Sequence, residues 1–590
     1  MAPWAAKGAR QTTMKHAFDI DAAIGRMRKT LRDAVPVIRG WMTPDGRLPD
    51  PYETIYSENY APANAASVLA SVCRNGDAPE AADPLDAMLA RTAELLADKA
   101  GVSPFCRVFL YHYGLMAMLL APPNVRVELI GRHGAAFAAY EDDCAVVNTN
   151  CAALQWAMEL YADALGLRPA DERLLAHRLS FIAEAQLESG FINDEVDEKM
   201  SHDGMPIAYH AFTLFLLASA FAVVERWPER HASTRSEAER IVRRGVDWLG
   251  RAITPDGTFA MVERSSYQTF TWGALTALLA YADPEGERYG ASVAAAFASW
   301  LPYRHDDGTY GCTPNRLPHS LRTGYESYTH LNMYNLLGLT GVAVAERMLA
   351  RRVRLSGAEA LVPARDGGFV DPASGYAFFR NGGGFFGCAL RMHNRQYAPA
   401  MQGFHFRLES RRVPIPEARL PGPHVPVDRL IREGVWEGYA VTDEAGVETF
   451  PDRKTNAEWT VVEDGIRLID DRDALACTKT IAVAGDAIRW SYELQAKRPL
   501  RSCRHIVPVL VHDGRDALLV AARPEGGLQL RFGDASYELT CPESTSMEME
   551  LTRSLLSVSG VSAPIVIELP APLETGAIVR WTTTLRLLPS

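Results

Sequence analysis

The chain has 590 residues, of which 47% are hydrophobic and 23% charged, and a formal net charge of -11. That length and apolar content exclude wholesale disorder and allow more than one domain, while the acidic balance excludes a general nucleic-acid binder. Nine cysteines without a CxxC pair read as reduced thiols, and no apolar run suits a signal peptide or a membrane span, so a cytoplasmic protein is expected.

Residues 1–354 carry helical periodicity. Six runs are apolar on nearly every face and are expected to be buried all round: Tyr60 to Val72, Val108 to Leu120, Asn150 to Leu165, Tyr209 to Val224, Thr271 to Ala282 and His330 to Ala345. Between them lie one-sided amphipathic segments: Ile20 to Arg39, Leu85 to Ala100, Arg126 to Tyr140, Glu172 to Leu187, Glu237 to Arg251 and Arg288 to Trp300. Alternation of buried and amphipathic helices predicts a double-ringed α/α toroid of about six helical hairpins. Four glycine turns recur between an outer helix and the next inner one, at Asp45-Gly46, Ser189-Gly190, Asp256-Gly257 and Asp307-Gly308.

After about Arg354 the pattern changes to short β-rich runs between Gly, Pro and Asp. These are Tyr376 to Arg380, Phe385 to Met392, Phe404 to Leu408, Trp459 to Val462, Ile466 to Ile469, Ile488 to Leu494, Ile506 to Val511, Leu528 to Phe532 and Ala577 to Leu587. An antiparallel β-sandwich domain over residues 365–590 is expected, joined to the toroid near Leu355 to Ala364. Gly382-Gly383-Gly384 suits a hairpin rather than a phosphate loop.

The inner helices, traversed in one sense, bring their N-terminal ends to one mouth. There the sequence places Asn148 and Asn150, Tyr209-His210, Ser265-Ser266-Tyr267-Gln268 before Trp272, and Tyr325 to His330 leading to Asn332 and Tyr334. Amides, phenols and indoles in one cleft suit a carbohydrate. Hydrolysis of a glycoside needs two opposed carboxyls, for which Asp194, Glu195, Asp197, Glu198 and Asp203 face Glu263 and Glu326 as candidates. Elimination on a uronic acid needs instead a group that neutralises the carboxylate, a base and an acid, roles open to Asn, His and Tyr.

The segment MPIAYH, preceded by Asp203-Gly204 and followed by a buried helix, resembles the catalytic tyrosine segment of the heparinase II/III-like and alginate-lyase-like polysaccharide lyases. The resemblance covers nearly the whole chain and implies an incomplete α/α toroid followed by an antiparallel β domain. It also implies a function: β-elimination on a uronic-acid-containing glycan, with Asn150 neutralising the carboxylate, Tyr209 as acid and sometimes base, and His210 beside it. A β-domain histidine is expected to assist. His405 in GFHFRL and His393 in RMHNRQY are both candidates, the first placed with the catalytic groups and the second with the substrate contacts. No counterpart of the family's glutamate-containing pattern before the tyrosine is present.

Asn148, Tyr267, Gln268, Trp272, Arg316, Tyr328, His330 and Tyr334 complete the expected substrate contacts, with Arg316 and Arg322 meeting further uronates by bidentate pairing. Tyr111-His112-Tyr113 reads as packing or a distal subsite. No cofactor and no metal is called for, and the expected partner is an acidic oligosaccharide or polysaccharide. The alternatives are an α/α-toroid hydrolase using loop carboxylates, or a glycan-binding protein without catalysis.

Overall fold

The computed structural model describes residues 19–53, 58–76, 78–146, 148–193, 207–263, 265–326, 328–355, 366–390, 404–417, 437–451, 458–463 and 465–589. The described residues form twelve α-helices followed by nineteen strands. The inner helices are α2 (Ala61–Asn75), α4 (Pro104–Leu120), α6 (Thr149–Ala164), α8 (Ile207–Val223), α10 (Thr269–Ala282) and α12 (Leu331–Arg351), and they coincide with the six all-apolar runs. Between Ile207 and Val223 only Tyr209 is less than fully buried, as a helix ringed by protein requires.

The outer helices are α1 (Ile20–Trp41), α3 (Ala82–Ala97), α5 (Pro123–Ala138), α7 (Glu172–Ala185), α9 (Ala232–Ala252) and α11 (Val293–Ala298), the last much shorter than its periodicity suggested. Each inner helix packs on the next, and α12 returns to pack on α2, so the inner ring closes. Glu346 of α12, fully buried, seals that seam by binding Arg28 of α1 at 2.8 Å and Arg74 of α2 at 2.6 Å. Among the described residues no helix is long and apolar enough to cross a membrane.

The glycine turns share a left-handed residue. Gly190 (φ 100°) and Gly257 (φ 82°) each press against a neighbouring backbone so closely that a Cβ would lie 2.2 Å from Arg244 O and 2.5 Å from Ala296 N. Only glycine meets both demands.

All strand pairings after α12 are antiparallel and form three sheets. The first, five-stranded, contains β1 (Gly367–Asp371), β2 (Tyr376–Asn381), β3 (Gly384–Ala389), β4 (Phe404–Leu408) and β5 (Arg411–Arg412). Its period-two alternation serves two cores at once: Tyr376, Phe378 and Phe385 join the toroid core, while Ala377, Phe379, Phe386 and Cys388 join the sandwich core. Behind it lie an eight-stranded and a six-stranded sheet, built on β11 (Ala487–Ala496) and β12 (Leu500–His512) respectively. The β2–β3 hairpin turns through Gly382 and Gly383, both at positive φ.

Candidate active site

One loop, 260–268, organises the mouth. It carries in succession the backbone partner of His405, then Glu263, Ser265, Tyr267 and Gln268, and it runs into α10. Glu263 is buried, and its Oε1 accepts the N–H of Ile207 at 2.8 Å and the hydroxyl of Tyr376 in β2. A carboxylate at the first turn of α8 satisfies one of that helix's free amides and complements its dipole. The same contact docks the first β sheet on the toroid, so the β domain meets the ring at the helix that carries Tyr209.

Tyr209 is half-buried in the first turn of α8. Its hydroxyl lies 3.0 Å from the hydroxyl of Tyr328, which lies 2.9 Å from Ser265 Oγ. Asn150 stands one helix away, in the first turn of α6. Its Oδ1 accepts the hydroxyl of Thr213 at 3.3 Å. Thr213 follows Tyr209 by four residues and shares its face of α8, which puts the Asn150 amide about one helical turn (about 5.4 Å along the axis) from the phenol's helix position. Asn150 is 3% exposed, and its Nδ2 has no hydrogen-bond partner among the described residues. A buried donor left unpaired costs about 1–3 kcal/mol, so this amide is primed for an acceptor brought from outside.

The remaining expected residues divide. Tyr328 is half-buried beside Tyr209, whereas Tyr334 is buried in the toroid core, its ring 6.5 Å from that of Tyr328 and edge-on to Phe270. His330 precedes α12, buried, with Nδ1 unpaired among the described residues; burial lowers its pKa from the ordinary histidine value. His405 of β4 is fully buried at the same loop. Its Nδ1 accepts the N–H of Met261 at 3.1 Å, which puts the ring proton on Nε2, an atom without a partner among the described residues. Burial, reinforced by Arg407, pushes its pKa down to about 3, so the ring is a neutral donor. Arg407 binds Asp256 of the glycine turn at 2.9 Å and Glu417 at 3.2 Å, and Arg412 joins Glu417 to Asp513. This buried chain of charges locks β4, and with it His405, to the toroid.

Several of the expected site residues are held by partners within the protein. His210, expected beside Tyr209 in the reaction, has both its nitrogens committed to backbone: Nδ1 accepts Ile192 N–H at 3.0 Å and Nε2 donates to Gly245 O at 3.1 Å. Burial holds its pKa at about 3, so it is a neutral bracket between the outer layer and α8. Trp272 points its Nε1 at the carbonyls of Ala296 and Phe297, both 3.1 Å away, and packs in the core beside the outer helix. Gln268 is buried, its amide tied to Thr329 Oγ1 at 3.1 Å, and Tyr267 is buried with its hydroxyl on Glu326 at 3.0 Å. Both shape the loop rather than face the cleft.

Asn148 caps α6, its Oδ1 accepting Cys151 N–H at 2.9 Å, and Arg316 pairs with Asp306 at 2.8 Å. Arg322 pairs with Glu53. Tyr111 and Tyr113 are core residues with His112 between them. His393, Asp194, Glu195, Asp197, Glu198 and Asp203 lie outside the described residues. Among the described residues no group of three or more His, Cys, Asp or Glu side chains is placed to hold a metal ion. The sequence places Ser265 at the mouth without a role, because its φ of +61° is a feature of backbone rather than residue type.

No protein-family model and no curated protein matches the sequence. Solved structures do match. A chondroitin AC lyase of Streptomyces coelicolor A3, in complex with chondroitin sulphate, superposes with a TM-score of 0.50 at 11% identity, over 95% of this chain and 79% of that one. A Paenibacillus xanthan lyase gives 0.51 at 11% identity, over 96% of this chain and 57% of that one. At such identity the likeness concerns the fold: this chain shares the α/α toroid plus antiparallel β architecture of those polysaccharide lyases.

Proposed function

We propose that this protein is a polysaccharide or oligosaccharide lyase that cleaves a uronic-acid-containing glycan by β-elimination and leaves an unsaturated uronate end. The observation that carries this reading is the unpartnered, buried Asn150 amide, held by Thr213 one turn from Tyr209. An amide donor to the substrate carboxylate lets that group accept charge as the adjacent carbon loses its proton. Tyr209, at the positive end of α8 and in hydroxyl contact with Tyr328, is the proton carrier to the departing glycosidic oxygen. His405 enters as a neutral donor, not as the base, because its Nδ1 is occupied. His210 has no step. The elimination breaks a C–H and a C–O bond and forms a C=C bond with no external electron acceptor or donor, so it calls for no redox or nucleotide cofactor.

The hydrolytic alternative has less support: of its two carboxylates across the mouth, Glu263 is buried on Ile207 and Tyr376, and Glu326 accepts from Ser265 and Tyr267. The test is to incubate the protein with a panel of uronides, among them chondroitin, heparan and alginate oligomers, and follow the ultraviolet absorbance of the conjugated product. Elimination gives that chromophore. New reducing ends without it mean hydrolysis, and binding without either product means a glycan-binding protein; each would end the lyase reading.

A further inference from the structure

Two hydroxyls and a carboxylate follow one another from Tyr209. Tyr209 OH to Tyr328 OH is 3.0 Å, Tyr328 OH to Ser265 Oγ is 2.9 Å, and Ser265 Oγ to Glu326 Oε2 is 3.0 Å. Glu326 Oε1 also accepts Ser265 N–H at 2.7 Å and the Tyr267 hydroxyl at 3.0 Å. Its backbone N–H is held by Thr329 Oγ1 at 3.1 Å, which is in turn gripped by Gln268.

An ionised carboxylate only accepts. The Ser265 proton therefore goes to Glu326, Ser265 Oγ accepts from Tyr328, and Tyr328 accepts from Tyr209. Every hydroxyl donates toward the acid. Ser265 makes this possible through a left-handed backbone, φ +61°, that places its N–H and its hydroxyl on one carboxylate. A non-glycine residue in that region costs on the order of 1–3 kcal/mol and persists where surrounding contacts enforce it.

Resting on the lyase reading above, we propose that Glu326 is the proton store of the reaction, reached from Tyr209 through Tyr328 and Ser265. As the C–H bond α to the uronate carboxylate breaks, its proton passes to the Tyr209 oxygen, the Tyr209 proton to Tyr328, that of Tyr328 to Ser265, and that of Ser265 to Glu326. The electron pair left on carbon is held on the carboxylate facing Asn150. It then forms the double bond as the β C–O bond breaks. The leaving oxygen takes the proton of Tyr209, the chain runs backward, and Glu326 returns to carboxylate. No proton is drawn from solvent, and no free phenolate has to form. Tyr209 touches the substrate; Tyr328, Ser265 and Glu326 act through it.

The test uses Glu326→Gln and Ser265→Gly in the full-length protein, on whichever uronide the wild type cleaves. Gln keeps an acceptor but cannot store a proton, and Gly deletes the hydroxyl while tolerating φ +61°. Both should lower kcat about 10²- to 10⁴-fold at neutral pH with KM nearly unchanged. Their residual kcat should then rise with pH, because Tyr209 must now lose its proton beforehand; the wild-type profile should be flat over that range. Among the described residues the titratable neighbours on this path include the phenols of Tyr209, Tyr328 and Tyr267, with the buried Glu263 nearby in the loop, and each is present in both variants. Wild-type kcat in either variant, or an equal loss at every pH, overturns the store. If Glu326→Gln does not fold, Ser265→Gly decides. Absence of unsaturated product from the wild type removes the lyase reading itself, a different result from an active enzyme whose variants are indifferent to the chain.

Discussion

Replacing Asn150 by alanine separates chemistry from folding. The variant loses one neutral hydrogen bond, the 3.3 Å contact from Thr213, for about 1 kcal/mol. It also loses a buried donor without a partner, which relieves about 1–3 kcal/mol of desolvation cost. The two oppose each other, so unfolding in guanidinium should shift by no more than about 1–2 kcal/mol. Turnover should fall much further. Removing a donor aimed at developing negative charge costs about 2.7–4 kcal/mol, or 10²- to 10³-fold in kcat. Asn150→Asp sharpens the contrast by keeping the acceptor for Thr213 while setting a second carboxylate against the substrate's, about 4 kcal/mol for charges about 4 Å apart at an effective dielectric of about 20. Its kcat/KM should lie below that of Asn150→Ala. Initial rates of absorbance gain, beside denaturation curves, give both quantities. Near wild-type turnover in Asn150→Ala, or a loss of turnover matched by a loss of folding, would refute the assignment.

Other expectations concern the supports of the site. Asp256→Ala strips Arg407 of its toroid partner inside the interface and should destabilise the protein by about 3–5 kcal/mol in denaturation; an unchanged midpoint would show that β4 is held by other contacts. His210 and His405 have pKa values of about 3 in the fold, below the unfolded value near ~6.5. Their contribution is therefore complete above about pH 6.5 and lost as pH falls toward 3, by about 1.4 kcal/mol per pH unit for each ring. His210→Gln should shed one ring's share of that slope, and an unaltered slope would mean His210 is protonated in the fold. Trp272→Phe removes an indole N–H bound to two core carbonyls, so stability should fall while KM stays the same; a raised KM would return Trp272 to the cleft.

The inner ring was legible because a helix surrounded by protein must be apolar on every face, and runs such as Ile207 to Val223 have no other use in a chain of this composition. Tyr209 and Asn150 were legible because they sit at the starts of such helices. The strands were read less completely. β10 (Leu475–Ala484) alternates buried with half-buried residues, yet its buried set includes Lys479, paired with Glu437, so the sequence carries no clean apolar period. β18 (Gly560–Glu568) holds Pro564 in a paired position that argues against a strand. The partners of His210, Ile192 and Gly245, were not legible because they are distant in sequence and bind through backbone atoms, which residue types do not announce. Ser265 was placed at the mouth by its sequence run, but its role comes from a dihedral angle that residue type does not announce. The two-faced β2 strand looked like any sandwich strand, and only the packed structure shows that Tyr376 and Phe378 belong to the toroid.

Tyr209→Phe tests the central claim most directly. It deletes one hydroxyl from a half-buried ring whose phenyl stays 6.4 Å from Phe270, so the fold and the substrate affinity should persist. Measured by unsaturated-product absorbance on a uronide the wild type cleaves, with binding followed separately by calorimetry, the account predicts an unchanged dissociation constant and a kcat reduced at least about 10²-fold. A Tyr209→Phe protein that forms the unsaturated product at the wild-type rate would contradict it.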